Sequence, residues 1–246
     1  MKEPTGRLGG KVVLVTGAAR RMGRALALGA ADEGAQVVIT YWNSFEDAQQ
    51  TVASLLELGS DAMAIRCDVR DPQNVEEMVR EVVAERGGID VLINNAGVYT
   101  TVDFERITPE QWDGMFSVNT RGPFLVSQAA LPSLRRRRGK IVNIGSLGGL
   151  RPWATHVHYC VSKAGLVMLT QAMAKAVAPR VAVNCVAPGM ISMGERPDRS
   201  VRSIVSKTPM GRAGSTADVV EAVLFLASAT HFITGQVLAV DGGLGL

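Results

Sequence analysis

Short runs of β-branched and aliphatic residues alternate with longer, Ala-rich amphipathic stretches along almost the whole chain. The runs are Lys11–Val15, Gln36–Thr40, Ala62–Cys67, Ile89–Ile93, Lys140–Ile144, Val181–Val186 and Val237–Val240. Each is nearly continuous in apolar character, as strands buried on both faces are. Helix-like stretches lie between them, near 22–33, 45–58, 72–86, 109–134, 155–178 and 215–228. Asp71-Pro72 and Thr108-Pro109 each set an N-cap residue before a proline at the first helical position. Such alternation packs as a parallel sheet with right-handed crossovers and helices on both faces. The expected fold class is therefore α/β, with a doubly wound, seven-stranded parallel sheet. No linker, repeat or low-complexity segment divides the 246 residues, so a single domain over 1–246 is expected, with 1–9 a loose N-terminal segment. Only 188–214 breaks the pattern; it is rich in Gly, Pro, Ser and Arg, and loops this long in compact domains are usually functional.

Composition narrows the function classes. The formal net charge is +3, and basic residues are interspersed with acidic ones except at Arg135–Arg138. That balance gives no footprint for nucleic acid. The arginine run reads either as a solvated helix end or as a docking point for an acidic partner. Cys67, Cys160 and Cys185 are far apart and suit neither a metal site nor a disulfide framework. No apolar stretch reaches membrane-spanning length and no apolar leader opens the chain, so a soluble, cytoplasmic protein with no membrane association is expected.

The first strand runs into Thr16-Gly17-Ala18-Ala19-Arg20-Arg21-Met22-Gly23 and then into an Ala-rich helix. Glycines there allow a tight turn and close approach to a pyrophosphate, and the helix N-terminus offers free N–H groups. Two glycines alone would also suit a mere tight turn; their position after strand one suits a Rossmann-type nucleotide site. The second strand ends Thr40-Tyr41-Trp42-Asn43-Ser44, without the carboxylate that would accept from a ribose 2′-hydroxyl. Arg20 and Arg21 stand in the loop instead. Cations and hydroxyls suit a 2′-phosphate, so NADP(H) is the expected cofactor, with Arg20 and Ser44 as its expected phosphate contacts.

Tyr159 and Lys163 lie four apart on one helix face. A nearby ammonium would stabilise the phenolate and bring the phenol toward neutral pH as an acid/base group. Ser146 follows the strand Lys140–Ile144 at its carboxyl end, the edge where ligands bind in open parallel sheets, and its hydroxyl could polarise a carbonyl.

Taken together with Cys67-Asp68-Val69, Asn94-Asn95-Ala96-Gly97, Asn119, Tyr159-Cys160-Val161-Ser162-Lys163, Pro188-Gly189 and Asp241-Gly242-Gly243, these pieces resemble the single-domain short-chain dehydrogenases/reductases, from Lys11 to Gly243. The resemblance implies hydride transfer between a nicotinamide and a carbonyl or alcohol. Tyr159 would then exchange the proton, Ser146 would hold the carbonyl, Lys163 would bind the nicotinamide ribose and lower the tyrosine pKa, and Asn119 would hold a water beside Lys163. Asp68 and Val69 would border the adenine. Asn95, Ala96 and Gly97 would flank the ribose, and Pro188 and Gly189 the nicotinamide. Gly17, Met22, Gly23, Tyr41 and Asn43 complete the implied cofactor set.

Two departures stand out. Arg21 replaces a usual glycine, which resembles the Thr-Gly-x-x-x-Arg-x-Gly loop of pteridine reductases. Met193 stands where a threonine is common, with Ser192 adjacent. The segment 190–207 would form the substrate loop, and Leu147, Arg151, Trp153, His156 and Met190 would line the pocket with it. His156 reads either as substrate-facing or as a solvent-facing helix-start residue. The leading expectation is reduction of a 3-oxoacyl thioester, acyl-carrier- or CoA-bound, as in the 3-oxoacyl-[acyl carrier protein] reductases. Sugar, steroid, quinone or pteridine-like substrates are alternatives, and a non-catalytic NADP(H) sensor is a reading of another class. The resemblance also implies a homotetramer, with helices 109–134 and 155–178 at one interface and helix 215–228 with the last strand at another. Ala172, Ala176 and Val177 are candidates for a small-residue interface face.

Overall fold

The computed structural model describes residues 6–193 and 199–246. In chain order the elements are β1 (Val12–Val15), α1 (Arg21–Asp32), β2 (Gln36–Tyr41), α2 (Phe45–Glu57), β3 (Ala62–Arg66), α3 (Pro72–Arg86), β4 (Val91–Asn94), α4 (Pro109–Phe116), α5 (Gly122–Arg137), β5 (Lys140–Ile144), α6 (Val157–Val177), β6 (Ala182–Pro188), β7 (Ile191–Ser192), α7 (Arg199–Val205), β8 (Gly214–Ser215), α8 (Thr216–Ser228) and β9 (Val237–Val240). The seven strands expected from the alternation form one parallel sheet in the order β3-β2-β1-β4-β5-β6-β9. The chain winds outward from β1 to β3, then returns to place β4 on the other side of β1. That reversal opens a crevice beyond the carboxyl ends of β1 and β4.

Alternation along each strand feeds two cores. Val13, Val15, Val37 and Ile39 pack under Leu26 and Ala30 of α1 and Val219 and Val223 of α8. Val12, Leu14, Val38 and Leu92 face Met78 and Val82 of α3 and Val126 and Leu134 of α5. The caps at Asp71 and Thr108 form as expected. Asp71 accepts from the Gln73 and Asn74 N–H groups, and Thr108 makes a full capping box with Gln111.

Several expectations need correction. Residues 6–9 are docked rather than loose. Leu8 is buried in the first core, and Arg7 bonds both Glu33 and Glu221, tying this segment to α1 and α8. The single helix expected over 109–134 is broken at Ser117–Arg121 by a π-helical segment and runs on to Arg137. Helix α6 starts at Val157, because His156 has non-helical φ/ψ. The irregular stretch contains α7 and the short parallel pair β7–β8, both too brief to show periodicity; part of the 190–207 segment lies outside the described residues. Val177 is buried in the second core and cannot serve an interface, whereas Ala172 and Ala176 are exposed. No helix of the described residues is long and apolar enough to cross a membrane.

Candidate active site

A cleft of about 1580 Å³ runs over the carboxyl ends of the central strands. One end is built by the turn after β1. Gly17 sits at φ +62°, and a Cβ there would come within 2.8 Å of Ala96 Cα. A Cβ on Gly23 would come within 2.5 Å of Gly17 O. Helix α1 thus reaches the turn only because both lack side chains. Asn95 locks the turn from β4, donating its amide N–H to Thr16 O at 3.0 Å and Gly17 O at 2.9 Å. Thr16 Oγ1 accepts from the Asn95 and Ala96 N–H groups, and Thr40 Oγ1 accepts from Gly17 N. Asn95 is therefore a brace for the loop. Sequence reasoning missed Thr16 and Thr40 in this role, because it depends on strands meeting sideways.

At the N-cap of α1, Arg20 makes no side-chain cap bond, and the first turn carries no carboxylate. The positive end of the helix is left for an anion. Arg21 adopts a left-handed conformation at φ +53° where the resemblance has glycine, at a cost of about 1 kcal/mol. Cleft-lining residues here include Arg20, Arg21, Met22, Tyr41, Trp42 and Asn43. Ser44 follows the lining residue Asn43 and is the N-cap of α2, where its side chain makes no cap bond. Arg20 pairs with exposed Asp47 at 3.7 Å. Unforeseen from sequence, the Arg66 guanidinium lies 4.5 Å over the Trp42 ring. Asp68 is gripped by Arg70 at 2.6 Å, which holds its carboxyl below the usual range. Val69, Ala96, Gly97, Pro188 and Gly189 line the same cleft.

At the other end, β5 delivers Ser146 and α6 delivers Tyr159 and Lys163. Ser146 Oγ accepts from Gly148 N at 3.1 Å, which turns its lone pair inward and leaves its proton to donate. Gly149 lets this loop lie on α6: a Cβ there would meet the Lys163 backbone at 2.8 Å. Lys163 is buried and donates to Ile144 O at 2.8 Å, and burial lowers its pKa to about 8. Tyr159 departs from expectation. Burial pushes its phenol above the ordinary value, and the group that pulls it back is the Ser146 hydroxyl, not the Lys163 ammonium, which is turned to the end of β5.

Asn119 lies in the π-helical segment and is fully buried. Its carbonyl accepts from Val98 N at 2.8 Å, and its amide donates to Val98 O at 2.9 Å and Ser162 Oγ at 3.1 Å. It borders the same point as the ammonium, since a Cβ on Gly97 would lie 3.3 Å from Asn119 Oδ1 and 3.6 Å from Lys163 Nζ. His156 is folded inward, against the solvent-facing alternative. It stacks on Tyr99 and bonds Tyr99, Thr101 and Thr155. Leu147, Arg151, Trp153, Met190 and Met193 also line the cleft.

The arginine run at the end of α5 is partly committed. Arg137 donates to Gly87 O at 2.9 Å, and His231 Nε2 lies 2.6 Å from Arg138 O.

A family model described as enoyl-(acyl carrier protein) reductase matches residues 17–245. The 3-oxoacyl-[acyl-carrier-protein] reductase FabG of Thermotoga maritima is 39% identical over 244 residues, covering 97% of this chain and 99% of that one. The enzyme of the same name from Staphylococcus aureus is 37% identical over 240 residues, 95% of this chain and 98% of its own. A short-chain type dehydrogenase/reductase from Mycobacterium marinum superposes with a TM-score of 0.89 at 34% identity over 96% of both chains. The chain belongs to the short-chain dehydrogenase/reductase family. A chain described as a short-chain alcohol dehydrogenase from Sinorhizobium meliloti has the same fold, with a TM-score of 0.91 at 33% identity over 96% of this chain and 97% of that one. As a short-chain dehydrogenase/reductase, the protein is an oxidoreductase of the nicotinamide type that acts on a carbonyl or alcohol.

Proposed function

We propose that the protein is an NADP(H)-dependent reductase of 3-oxoacyl-thioester type, with Tyr159 as proton donor. The observation that carries this reading is one cleft joining two ends: an anion-receptive turn with arginines and no carboxylate at the end of β2, and a wall bearing Ser146, Tyr159 and Lys163. The glycine cradle and the open N-terminus of α1 fit a dinucleotide pyrophosphate, which Gly17, Arg20, Arg21, Met22 and Gly23 would hold. Tyr41, Asn43, Asp68, Val69, Asn95, Ala96, Gly97, Pro188 and Gly189 would border the rest. The bound cofactor supplies or accepts the hydride.

The chain's own residues do the remainder. Ser146, its oxygen held by Gly148 N, donates its proton toward a substrate carbonyl. Tyr159, kept protonated at neutral pH by burial, gives its proton to the oxygen as negative charge develops there. Lys163 is poised to give up its bond to Ile144 O for ribose hydroxyls, and Asn119 fixes the 98 loop that forms the floor beside it. Relatives named for 3-oxoacyl-carrier reduction favour a thioester-borne ketone as substrate. We further propose a homotetramer, since α5, α6, α8 and β9 leave Phe124, Val161, Met168, Phe225 and Leu238 exposed.

The test is a fluorescence titration with NADPH and NADH, followed by NADPH oxidation with acetoacetyl and crotonoyl thioesters, quinones, dihydropterin and sugars. NADPH should bind at least about tenfold more tightly than NADH, as one charge-assisted bond to the 2′-phosphate would give, and Arg20→Ala should narrow that gap. NADH preference would overturn the phosphate assignment. Reduction of the crotonoyl C=C but not the keto group would overturn the substrate class. Binding without any turnover would favour a sensor.

A further inference from the structure

We propose that the substrate end of the cleft is an aromatic-sided slot for a ketone carrying an aryl or other flat unsaturated group, with His156 as the positioning residue that fixes one of its walls. This rests on the hydride-transfer reading above and names the group that flanks the reacting carbonyl.

Two other rings contact the catalytic phenol, and both also contact His156. Tyr99 meets Tyr159 edge-on, with centroids 4.9 Å apart and planes at 89°. Trp153 lies nearly parallel to Tyr159 at 6.1 Å and 18°. A carbonyl presented to the Tyr159 hydroxyl therefore has these rings beside its substituent. Both rings are held. The Trp153 indole rests on Gly148, where a Cβ would come within 3.2 Å of it. Tyr99 is stacked on His156 at 4.8 Å and 20°, and its hydroxyl lies 2.5 Å from His156 Nε2.

His156 is itself pinned from two sides. Thr101 Oγ1 is 2.9 Å from Nε2, and Thr155 Oγ1 is 2.9 Å from Nδ1. Burial and the neighbouring His158 hold the imidazole neutral, so Nε2 can accept from Tyr99 with the ring proton assigned to Nδ1. A second clasp, Thr100 Oγ1 to His158 Nε2 at 2.9 Å, binds the same loop to the start of α6. One face of Tyr99 is thus covered by His156, yet Tyr99 remains 56% exposed and lines the cleft.

Pinned, flat walls suit a flat ligand. An aryl group gains ring–ring contact there at no torsional cost, whereas an alkyl chain of equal carbon count must order its bonds and finds no π partner. Neither wall belongs to the proton-transfer set, so they act on which ketone is seated.

The experiment compares two N-acetylcysteamine thioesters of equal carbon count, benzoylacetyl and 3-oxononanoyl, by NADPH oxidation. The proteins are wild type, Tyr99→Leu, Trp153→Phe, Trp153→Leu, His156→Ala and His156→Gln, with folding checked by circular dichroism and NADPH titration. Wild type should favour the aryl ketone in kcat/KM, by roughly three- to tenfold, the scale of one or two aromatic contacts. Tyr99→Leu and Trp153→Leu should erase most of that ratio, chiefly through KM. His156→Ala should follow Tyr99→Leu, while His156→Gln, which keeps an acceptor for the Tyr99 hydroxyl, should recover part of it. Trp153→Phe keeps a ring and should keep most of the ratio, so it stands in if Trp153→Leu does not fold. Equal kcat/KM for the two thioesters, or variants that lower both alike, would overturn the slot and leave the hydride-transfer reading intact. Turnover of neither, with other ketones also inert, would remove both.

Discussion

Tyr159 and Lys163 show how burial acts on two groups of opposite charge type. For each, desolvation disfavours the charged form, raising the phenol and lowering the ammonium. The phenol therefore stays protonated at neutral pH, as the proposed proton donor must. Tyr159→Phe should lower carbonyl reduction by about a thousandfold, within the usual range for a lost general acid, while NADPH titration stays near wild type. Retained turnover would move the proton donor elsewhere. Lys163 has a stability consequence of definite sign. Its folded pKa of about 8 lies below its ordinary 10.5, so between these values the unfolded chain binds more protons. Stability contributed through this group rises with pH across that window, and the full penalty applies below it. Lys163→Met should raise the thermal midpoint of the cofactor-free protein at pH 7. The gain is at most on the order of 3 kcal/mol, reduced by the lost bond to Ile144 O, and it should shrink as pH climbs toward 10.5. A gap that does not change with pH would show that the ammonium is not desolvated.

The π-helical segment between α4 and α5 is the clearest case of an element shaped by its site. It carries Asn119, whose amide bonds both backbone groups of Val98 as a neighbouring strand would. Such single π turns tend to occur where a side chain must be re-aimed. Asn119→Ala would leave the Val98 N–H and C=O without these partners in a half-buried setting. Denaturant unfolding should show a loss of about 3 kcal/mol, and activity should fall with it because the same loop carries Tyr99. A loss under about 1 kcal/mol would mean that water replaces the amide freely. At the end of α5, Arg137 is spent on Gly87 O, so docking of an acidic carrier is better tested at exposed Arg135 and Arg136.

On the scale of the whole molecule, β9 closes one edge of the sheet with Leu238 and Ala239 exposed, and α8 beside it exposes Phe225. Helices α5 and α6 expose Phe124, Val161 and Met168. Apolar residues exposed both on α5 and α6 and on α8 and β9 suit the proposed tetramer, which would be assembled about two different two-fold axes. Sedimentation should report a tetramer for wild type, and Phe225→Lys with Leu238→Lys should reduce it to dimers. A wild-type monomer would rule the assembly out.

The alternation of apolar runs was enough to specify the seven strands and their parallel sheet, because strand and helix periods are local properties of the chain; the strand order that sets β4 beside β1 was not in that pattern. That the glycine turn after β1 and the residues Ser146, Tyr159 and Lys163 stand at strand ends and on one helix was legible for the same reason, since each depends on spacing within one or two neighbouring elements, and the structure brings them to one cleft. What the tertiary structure alone decided lies between distant segments. Asn95 braces a turn nearly eighty residues away, |i−j| = 78 to Gly17. His156 meets Tyr99 across 57 residues, which turns a helix-start histidine into the support of a cleft wall. Arg66 covers Trp42, and Lys163 turns to Ile144 O. None of these has a periodicity to read. Each is set by which strand ends and loops the sheet brings side by side, and by how much water remains between them.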